Sequence, residues 1–163
     1  MNILAFDQST QKTGWAVFKD GILIDSGVFD MHKEKDVDVR LRGLCAFAQG
    51  LVARWQPELV VAEGVSLQNP NVKTIVELAR VQGLLQAAAY ALPFEVPVIF
   101  YMPAAWRKIV GIQMGRGVKR AELKKAAITM VAEHYGKQVS DDEADAILIG
   151  QAAVALAAEN KEK

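Results

Sequence analysis

The sequence lacks the residues on which several classes of protein depend. Among its 163 residues there is a single cysteine, Cys45, which excludes an intramolecular disulfide and a cysteine-based zinc site. Its 5 prolines and 12 glycines are scattered, which excludes collagen-like and low-complexity chains. No apolar run reaches the roughly 18 residues that span a bilayer, and the start has no basic secretion-signal segment. These absences predict a cytoplasmic protein without a membrane partner, and the length is that of one domain over residues 1–163.

A net charge is absent as well, because 19 lysines and arginines balance 19 aspartates and glutamates. The charges are nevertheless segregated, and one basic segment, 107–125, contains a single acid among its charged residues. Its basic residues are Arg107, Lys108, Arg116, Lys119, Arg120, Lys124 and Lys125. Such segregation is expected where one surface attracts phosphate and another gathers carboxylates, although a solvated helix face would give the same pattern.

Apolar runs and turn signals predict an α/β fold with a mixed sheet and helices on both faces. Three short strands open the chain, and Asp20 and Gly21 predict a hairpin between the second and third. Helices and strands then alternate. The predicted strands cover 3–6, 15–18, 22–29, 59–62 and 96–100, and the predicted helices cover 37–55, 72–92, a short segment from 103, 119–135 and 140–159.

Acidic residues follow two of the predicted strands and begin the last helix. Asp7 ends the first strand and Glu63 the fourth, so parallel pairing of these strands would bring both acids to one sheet edge, where α/β folds commonly bind ligands. Asp142 and Asp145 are three residues apart and share a helix face, while Asp141 with Asp145 is the alternative pair, four apart. No lysine or arginine lies within one turn of Asp145 along this apolar helix, so a metal ion is expected to balance it.

Carboxylate ligands without histidine or cysteine favour Mg²⁺ or Mn²⁺ over zinc. Four carboxylates balance two divalent ions, and such a pair of ions stabilises the attacking and leaving oxygens of phosphoryl transfer. The basic segment would then hold the phosphodiester backbone. The residues alone therefore predict metal-dependent phosphoryl chemistry on a nucleic acid.

The order of these motifs resembles the RuvC-type Holliday-junction resolvases over nearly the whole chain. Residues 4–9 and 13–17 resemble the opening motif of that family, and residues 61–65 and 78–83 resemble its second motif and the following helix. The third region of that family is similar to a glycine-rich basic stretch that ends at Lys119 and to the residues before it, namely Tyr101, Pro103, Trp106 and Arg107. Residues 142–146 match its final acidic motif.

The resemblance implies an RNase H-like fold with sheet order 3-2-1-4-5 and an endonuclease that nicks Holliday junctions and other branched DNA. It implies two Mg²⁺ ions per active site, for which Mn²⁺ substitutes, and a homodimer, for which the apolar helix at 72–92 is the expected interface. The implied catalytic residues are the metal ligands Asp7, Glu63, Asp142 and Asp145, together with Lys119 near the scissile phosphate. The predicted DNA-binding residues are Arg107, Lys108, Arg116, Lys119, Arg120 and Ser66.

Ser66 departs from the family pattern, because bacterial members often have an aromatic residue there. This departure suggests a divergent relative, such as one encoded by a phage, in either case acting in a bacterial or phage-infected cell.

Two other functions remain open at this stage. Residues 7–10 also resemble the phosphate loop of actin-like sugar kinases, although those enzymes clamp ATP between two lobes and this chain is long enough for only one. The other alternative is a catalytically silent protein that binds DNA junctions. Retention of all four acids argues against it, because without metal ions they would repel one another and the DNA.

Overall fold

The computed structural model describes residues 1–65, 71–112, 115 and 117–159. The chain begins with the strands β1 (Asn2–Asp7), β2 (Lys12–Lys19) and β3 (Ile22–Asp30). Helix α1 (Val37–Trp55), strand β4 (Leu59–Glu63), helix α2 (Val72–Tyr90) and strand β5 (Val98–Tyr101) follow. The helices α3 (Pro103–Val110), α4 (Arg120–Tyr135) and α5 (Asp141–Glu159) complete the described elements.

The strands form one mixed sheet in the order β3-β2-β1-β4-β5, which confirms the predicted order. β1 pairs antiparallel with β2 and parallel with β4, and β4 pairs parallel with β5. The parallel register places Phe6 beside Ala62. The next residues, Asp7 and Glu63, therefore end neighbouring strands at the same edge of the sheet.

Helices cover both faces of the sheet, and the alternation along β1 explains the two cores. Ile3 and Ala5 point to the face covered by α3, α4 and α5. Leu4 and Phe6 point to the other face, against α1 and α2. On the first face Gly150 of α5 packs so closely that an added Cβ would lie 2.4 Å from the Phe18 ring. A glycine at this position therefore sets how near α5 approaches the sheet.

The structure corrects three of the predicted boundaries by two residues or more, and several others by a single residue. β2 begins at Lys12 rather than Trp15, because Thr13 and Gly14 still pair with the neighbouring strands. β5 begins at Val98 rather than Val96, and α2 ends at Tyr90, two residues earlier than predicted. In the described part of the chain, no helix combines the length and the apolar character needed to cross a bilayer.

Candidate active site

The predicted acids come together in one cavity of 460 Å³ at the edge of the sheet. Asp7 and Glu63 reach it from the ends of β1 and β4, and the acids at the start of α5 close it from the other side. Those acids are Asp141, Asp142 and Asp145. The parallel pairing of β1 and β4, which the sequence only suggested, therefore puts all four predicted ligands in one place.

The first turn of α5 reaches the cavity because it lies directly on the backbone of β2. An added Cβ at Gly14 would be 1.9 Å from the carbonyl oxygen of Asp142, so only a glycine permits this approach. The Ser140 side chain accepts a hydrogen bond from the backbone N–H of Glu143 at 3.3 Å, as expected for the residue that caps a helix. The packing of α5 on β2 thus fixes the height of Asp142 above the sheet.

Glu63 is held by two consecutive residues of α3. The fully buried Trp106 donates a hydrogen bond from Nε1 to Glu63 Oε2 at 2.9 Å. Arg107 stacks on the Trp106 ring and places its guanidinium 3.8 Å from Glu63 Oε2 and 3.8 Å from Asp145 Oδ2. Asp145 therefore has a cationic neighbour after all, brought from a distant segment by the fold rather than from its own helix.

The pKa values of these acids reflect their burial first and, for Asp7 and Asp145, the charges of the neighbouring acids as well. Burial raises the pKa of Asp7 well above its ordinary value, and the negative charges of Glu63, Asp145 and Asp142 raise it further. Burial raises the pKa of Asp145 to about 7, although Arg107 opposes the rise. The pKa of Glu63 is also raised by burial, against the hydrogen bond from Trp106. The cluster therefore has too little positive charge around it, and a bound cation would relieve the repulsion.

Asp141 differs from the acid beside it. Lys124 of α4 donates a hydrogen bond to Asp141 Oδ2, and this bond lowers the pKa of Asp141. The pKa of Asp142 is raised instead, first by burial and then by the charge of Asp141. Both side chains line the cavity, but of the two only Asp141 forms an ion pair with a lysine.

The basic residues predicted to bind DNA are only partly at the cavity. Arg107 and Arg120 line it, whereas Lys108 and Lys119 are exposed and do not belong to its described lining. Arg116 and Ser66 lie outside the described residues. Lys124 also lines the cavity. It is four residues from Arg120 on the same helix, so the sequence could have indicated that both residues face the same side. The contact of Trp106 with Glu63 had no such sequence signal.

The side chains present fit a hard divalent cation. All the acidic groups of the cavity are carboxylates, the kind of ligand that Mg²⁺ prefers, and the crowded acids have raised pKa values. Among the described residues, however, no group of three or more acidic, histidine or cysteine side chains is positioned to hold a metal ion in the present arrangement. Arg107 lies 3.8 Å from both Glu63 and Asp145, so its guanidinium would compete with a metal ion for these two acids.

Comparison with known proteins identifies relatives of this chain. The family model described as crossover junction endodeoxyribonuclease RuvC matches residues 3–156. Among curated proteins no sequence match was found.

Three solved structures share the fold at low sequence identity. The Thermus thermophilus RuvC in complex with Holliday junction substrate is 18% identical over 98% of this chain and 96% of that one, with a TM-score of 0.76. The fowlpox virus Holliday junction resolvase is 17% identical over 94% and 98%, with a TM-score of 0.62. The yeast mitochondrial Holliday junction resolvase Ydc2 is 15% identical over 98% and 80%, with a TM-score of 0.59.

Proposed function

This chain belongs to the RuvC family of crossover junction endodeoxyribonucleases and is a junction-resolving nuclease, and we propose that it cuts DNA with two Mg²⁺ ions held by Asp7, Glu63, Asp142 and Asp145. The observation that carries the metal site is the single cavity into which β1, β4 and α5 bring these four acids. Mn²⁺ is expected to substitute, since it accepts the same oxygen ligands. Bound Mg²⁺ would supply the positive charge that activates a water molecule and stabilises the leaving oxygen.

The four acids have different mechanical roles in this proposal. Asp7 and Glu63 extend from paired central strands, so the sheet fixes their separation. Trp106 orients Glu63 through its hydrogen bond. Asp142 and Asp145 are carried by α5, whose position depends on the contact with Gly14. The chain thus offers two ligands from a rigid edge and two from a helix packed against it.

Arg107, Arg120 and Lys124 support the binding of a DNA phosphate, because they line the same cavity as the acids. When Arg107 leaves Glu63 and Asp145, its guanidinium is free to pair with the scissile phosphate, a role that suits its planar set of donors. The exposed Lys108 would contact the backbone farther from the scissile bond. We propose Lys119 as a catalytic residue near the scissile phosphate, on the evidence of its match to the family motif.

Four-way junctions, and other branched DNA such as forks, are the proposed substrate. The similar Thermus thermophilus protein is described in complex with a Holliday junction substrate, which supports the same class of ligand here. We also propose that the protein acts in the cytoplasm of a bacterial or phage-infected cell, as its sequence and its DNA-processing family lead us to expect. Membership of the nuclease family favours this function over the ATP-binding kinase lobe.

Replacement of Asp7 by asparagine tests the assignment. The Asp7→Asn variant should lose nearly all cleavage of a labelled four-way junction in Mg²⁺ while it still binds the junction in EDTA, because the phosphate contacts remain. Lys119→Ala should instead weaken binding and reduce the dependence of affinity on salt by about one phosphate contact. Loss of junction binding by Asp7→Asn, with cleavage of bound DNA intact, would contradict the proposal.

A second copy of this chain is the proposed partner of α2, since two coordinated nicks need two active sites. Val72 and Val76 on this helix are 70% and 53% exposed. The Val76→Glu variant should therefore shift a dimer to monomers in light scattering at micromolar concentration. Ile22→Glu is the control, because Ile22 is 66% exposed on β3 instead. A wild-type monomer that still makes paired nicks would refute this part of the proposal.

A further inference from the structure

The first turn of α5 carries more acids than a two-metal site needs. Four acids occur within five residues, namely Asp141, Asp142, Glu143 and Asp145. Two of them have lysine partners and two do not. Lys124 of α4 pairs with Asp141. Lys137, just beyond the end of α4, lies 3.6 Å from Glu143.

The two lysine pairs occupy different places. Glu143 turns towards the sheet edge, where its Oε1 accepts a hydrogen bond from the Ser26 hydroxyl of β3 at 2.8 Å, and it is not part of the cavity lining. Asp141 and Lys124 both line the cavity that holds the proposed ligands. Only the pair of Asp141 and Lys124 can therefore influence which acids face a bound ion.

Helix geometry makes Asp141 a competitor of Asp142. Residues three and four positions apart both lie on one helix face, so Asp145 could act with either of them. Without a partner, the Asp141 carboxylate would be free to turn towards the cavity it already lines. With Lys124 bonded to it, that rotation costs a charge-assisted hydrogen bond.

We propose that Lys124 is a positioning residue that withholds Asp141 from the metal-ligand set and so commits Asp142 to it. This inference rests on the proposed function, since it concerns the same metal site. It assigns to Lys124 a role that acts through Asp141 and needs no contact with the DNA. It also predicts that the choice between the two neighbouring acids is reversible by substitutions.

The experiment measures Mg²⁺ binding to the full chain by isothermal titration calorimetry, without DNA. Asp142→Asn should weaken Mg²⁺ binding by about tenfold or more, because a charged ligand is lost. Lys124→Met in that variant should recover at least about threefold of the loss, because Asp141 becomes available as a ligand. Lys124→Arg in place of Lys124→Met should recover nothing, since an arginine keeps the pair. Lys124→Gln is the second variant if Lys124→Met fails to fold.

A simple gain in negative potential could also tighten cation binding, and two variants separate this effect. Arg120→Met in the Asp142→Asn protein removes the same charge from the cavity wall without freeing Asp141, and should recover much less Mg²⁺ binding than Lys124→Met. Asp141→Asn, added to the recovered double variant, should abolish the recovery. Lys137→Met is the matched control for the pair outside the cavity, and should leave Mg²⁺ binding unchanged.

The outcomes distinguish this inference from the function on which it rests. If the unaltered protein binds no Mg²⁺, the proposed metal site is wrong and this inference falls with it. If the unaltered protein binds Mg²⁺ but Asp142→Asn binds it equally well, only the commitment of Asp142 is refuted. Recovery by Arg120→Met as large as that by Lys124→Met, or recovery that survives Asp141→Asn, also refutes it.

Discussion

Replacing Asp145 by asparagine should make the metal-free protein more stable at neutral and higher pH. Burial raises the pKa of Asp145 from 3.8 to about 7, so the folded protein retains a proton that the unfolded chain has released. The stability of the metal-free protein therefore falls as the pH rises from about 4 to about 7, and stays low above that. Asparagine has nearly the same shape but never bears this charge.

The size of the effect follows from the same pKa. A rise from 3.8 to about 7 corresponds to about 4 kcal/mol, at about 1.4 kcal/mol for each tenfold change in proton affinity. The Asp145 side chain is only 15% exposed, so solvent screens little of this cost. Asp7 and Glu63 share the same excess of charge and relax when one acid is removed, so we expect a gain of about 2 to 4 kcal/mol. For a chain of this length that gain is roughly 6 to 12 °C in Tm.

Thermal unfolding in EDTA at pH 4 and pH 8 measures the effect, and the same scans in Mg²⁺ provide the second half of the test. Asp145→Asn should unfold at a higher temperature than wild type at pH 8 and at nearly the same temperature at pH 4. Saturating Mg²⁺, at 100 times its Kd, should stabilise the wild type by about 2.7 kcal/mol and the variant much less. Asp38→Asn is the control, because Asp38 is 69% exposed and its ion pair with Arg80 at 2.8 Å is a surface pair whose loss should change Tm little.

One result would refute this reasoning. If Asp145→Asn is less stable than wild type in EDTA at pH 8, Asp145 serves mainly as the structural partner of Arg107, whose guanidinium lies 3.8 Å away. The cavity would then contain an internal ion pair rather than an excess of negative charge that a bound cation would balance. An equal response of the two proteins to Mg²⁺ would remove Asp145 from the ligands.

Two further predictions concern the residues that position the ligands. Gly14→Ala should lower the free energy of unfolding, measured by urea titration, by about 3 kcal/mol or more and remove most of the cleavage activity, because its methyl group would collide with the Asp142 carbonyl oxygen. Gly50→Ala in α1 is the control: its methyl group would meet nothing within 4 Å, so this variant should be neutral or slightly stabilising in the same titration. Trp106→Phe removes the hydrogen bond to Glu63 and should lower the free energy of unfolding by about 1.5 to 3 kcal/mol. It should also raise the Mg²⁺ concentration needed for half-maximal cleavage. An unchanged Mg²⁺ requirement would show that this bond has no part in orienting Glu63.

The sheet was predictable because its strands carry strong local signals. Asp20 and Gly21 mark the hairpin between β2 and β3, and both adopt the positive φ that such a turn requires. The strand order came from the resemblance, because residues alone cannot specify which of several apolar strands become neighbours. Boundary errors occurred where pairing continues past the apolar run, as at the start of β2, or where an apolar residue precedes the paired segment, as at Val96.

The sequence by itself determined which residues could form the site. Carboxylates at the ends of two strands and at the start of an apolar helix indicated a metal site and its ligand type, because such groups seldom occur together beside buried segments without a partner. The separation of charge along the chain predicted a phosphate-binding region at 107–125. Both conclusions depend only on chemical type and on spacing within single elements.

Only the tertiary structure decided which charges neutralise one another. Arg107 of α3 reaches Glu63 at the end of β4 and Asp145 of α5, and Lys124 of α4 pairs with Asp141 of α5, so each contact joins different elements of the fold. Hydrogen bonds and ion pairs form only when two groups lie within about 3 to 4 Å of each other. The spacing of residues along one helix or strand does not show which residues of other elements come that close. The identity of the acids could therefore be read from the chain, whereas the partner of each acid depends on how the helices pack on the sheet.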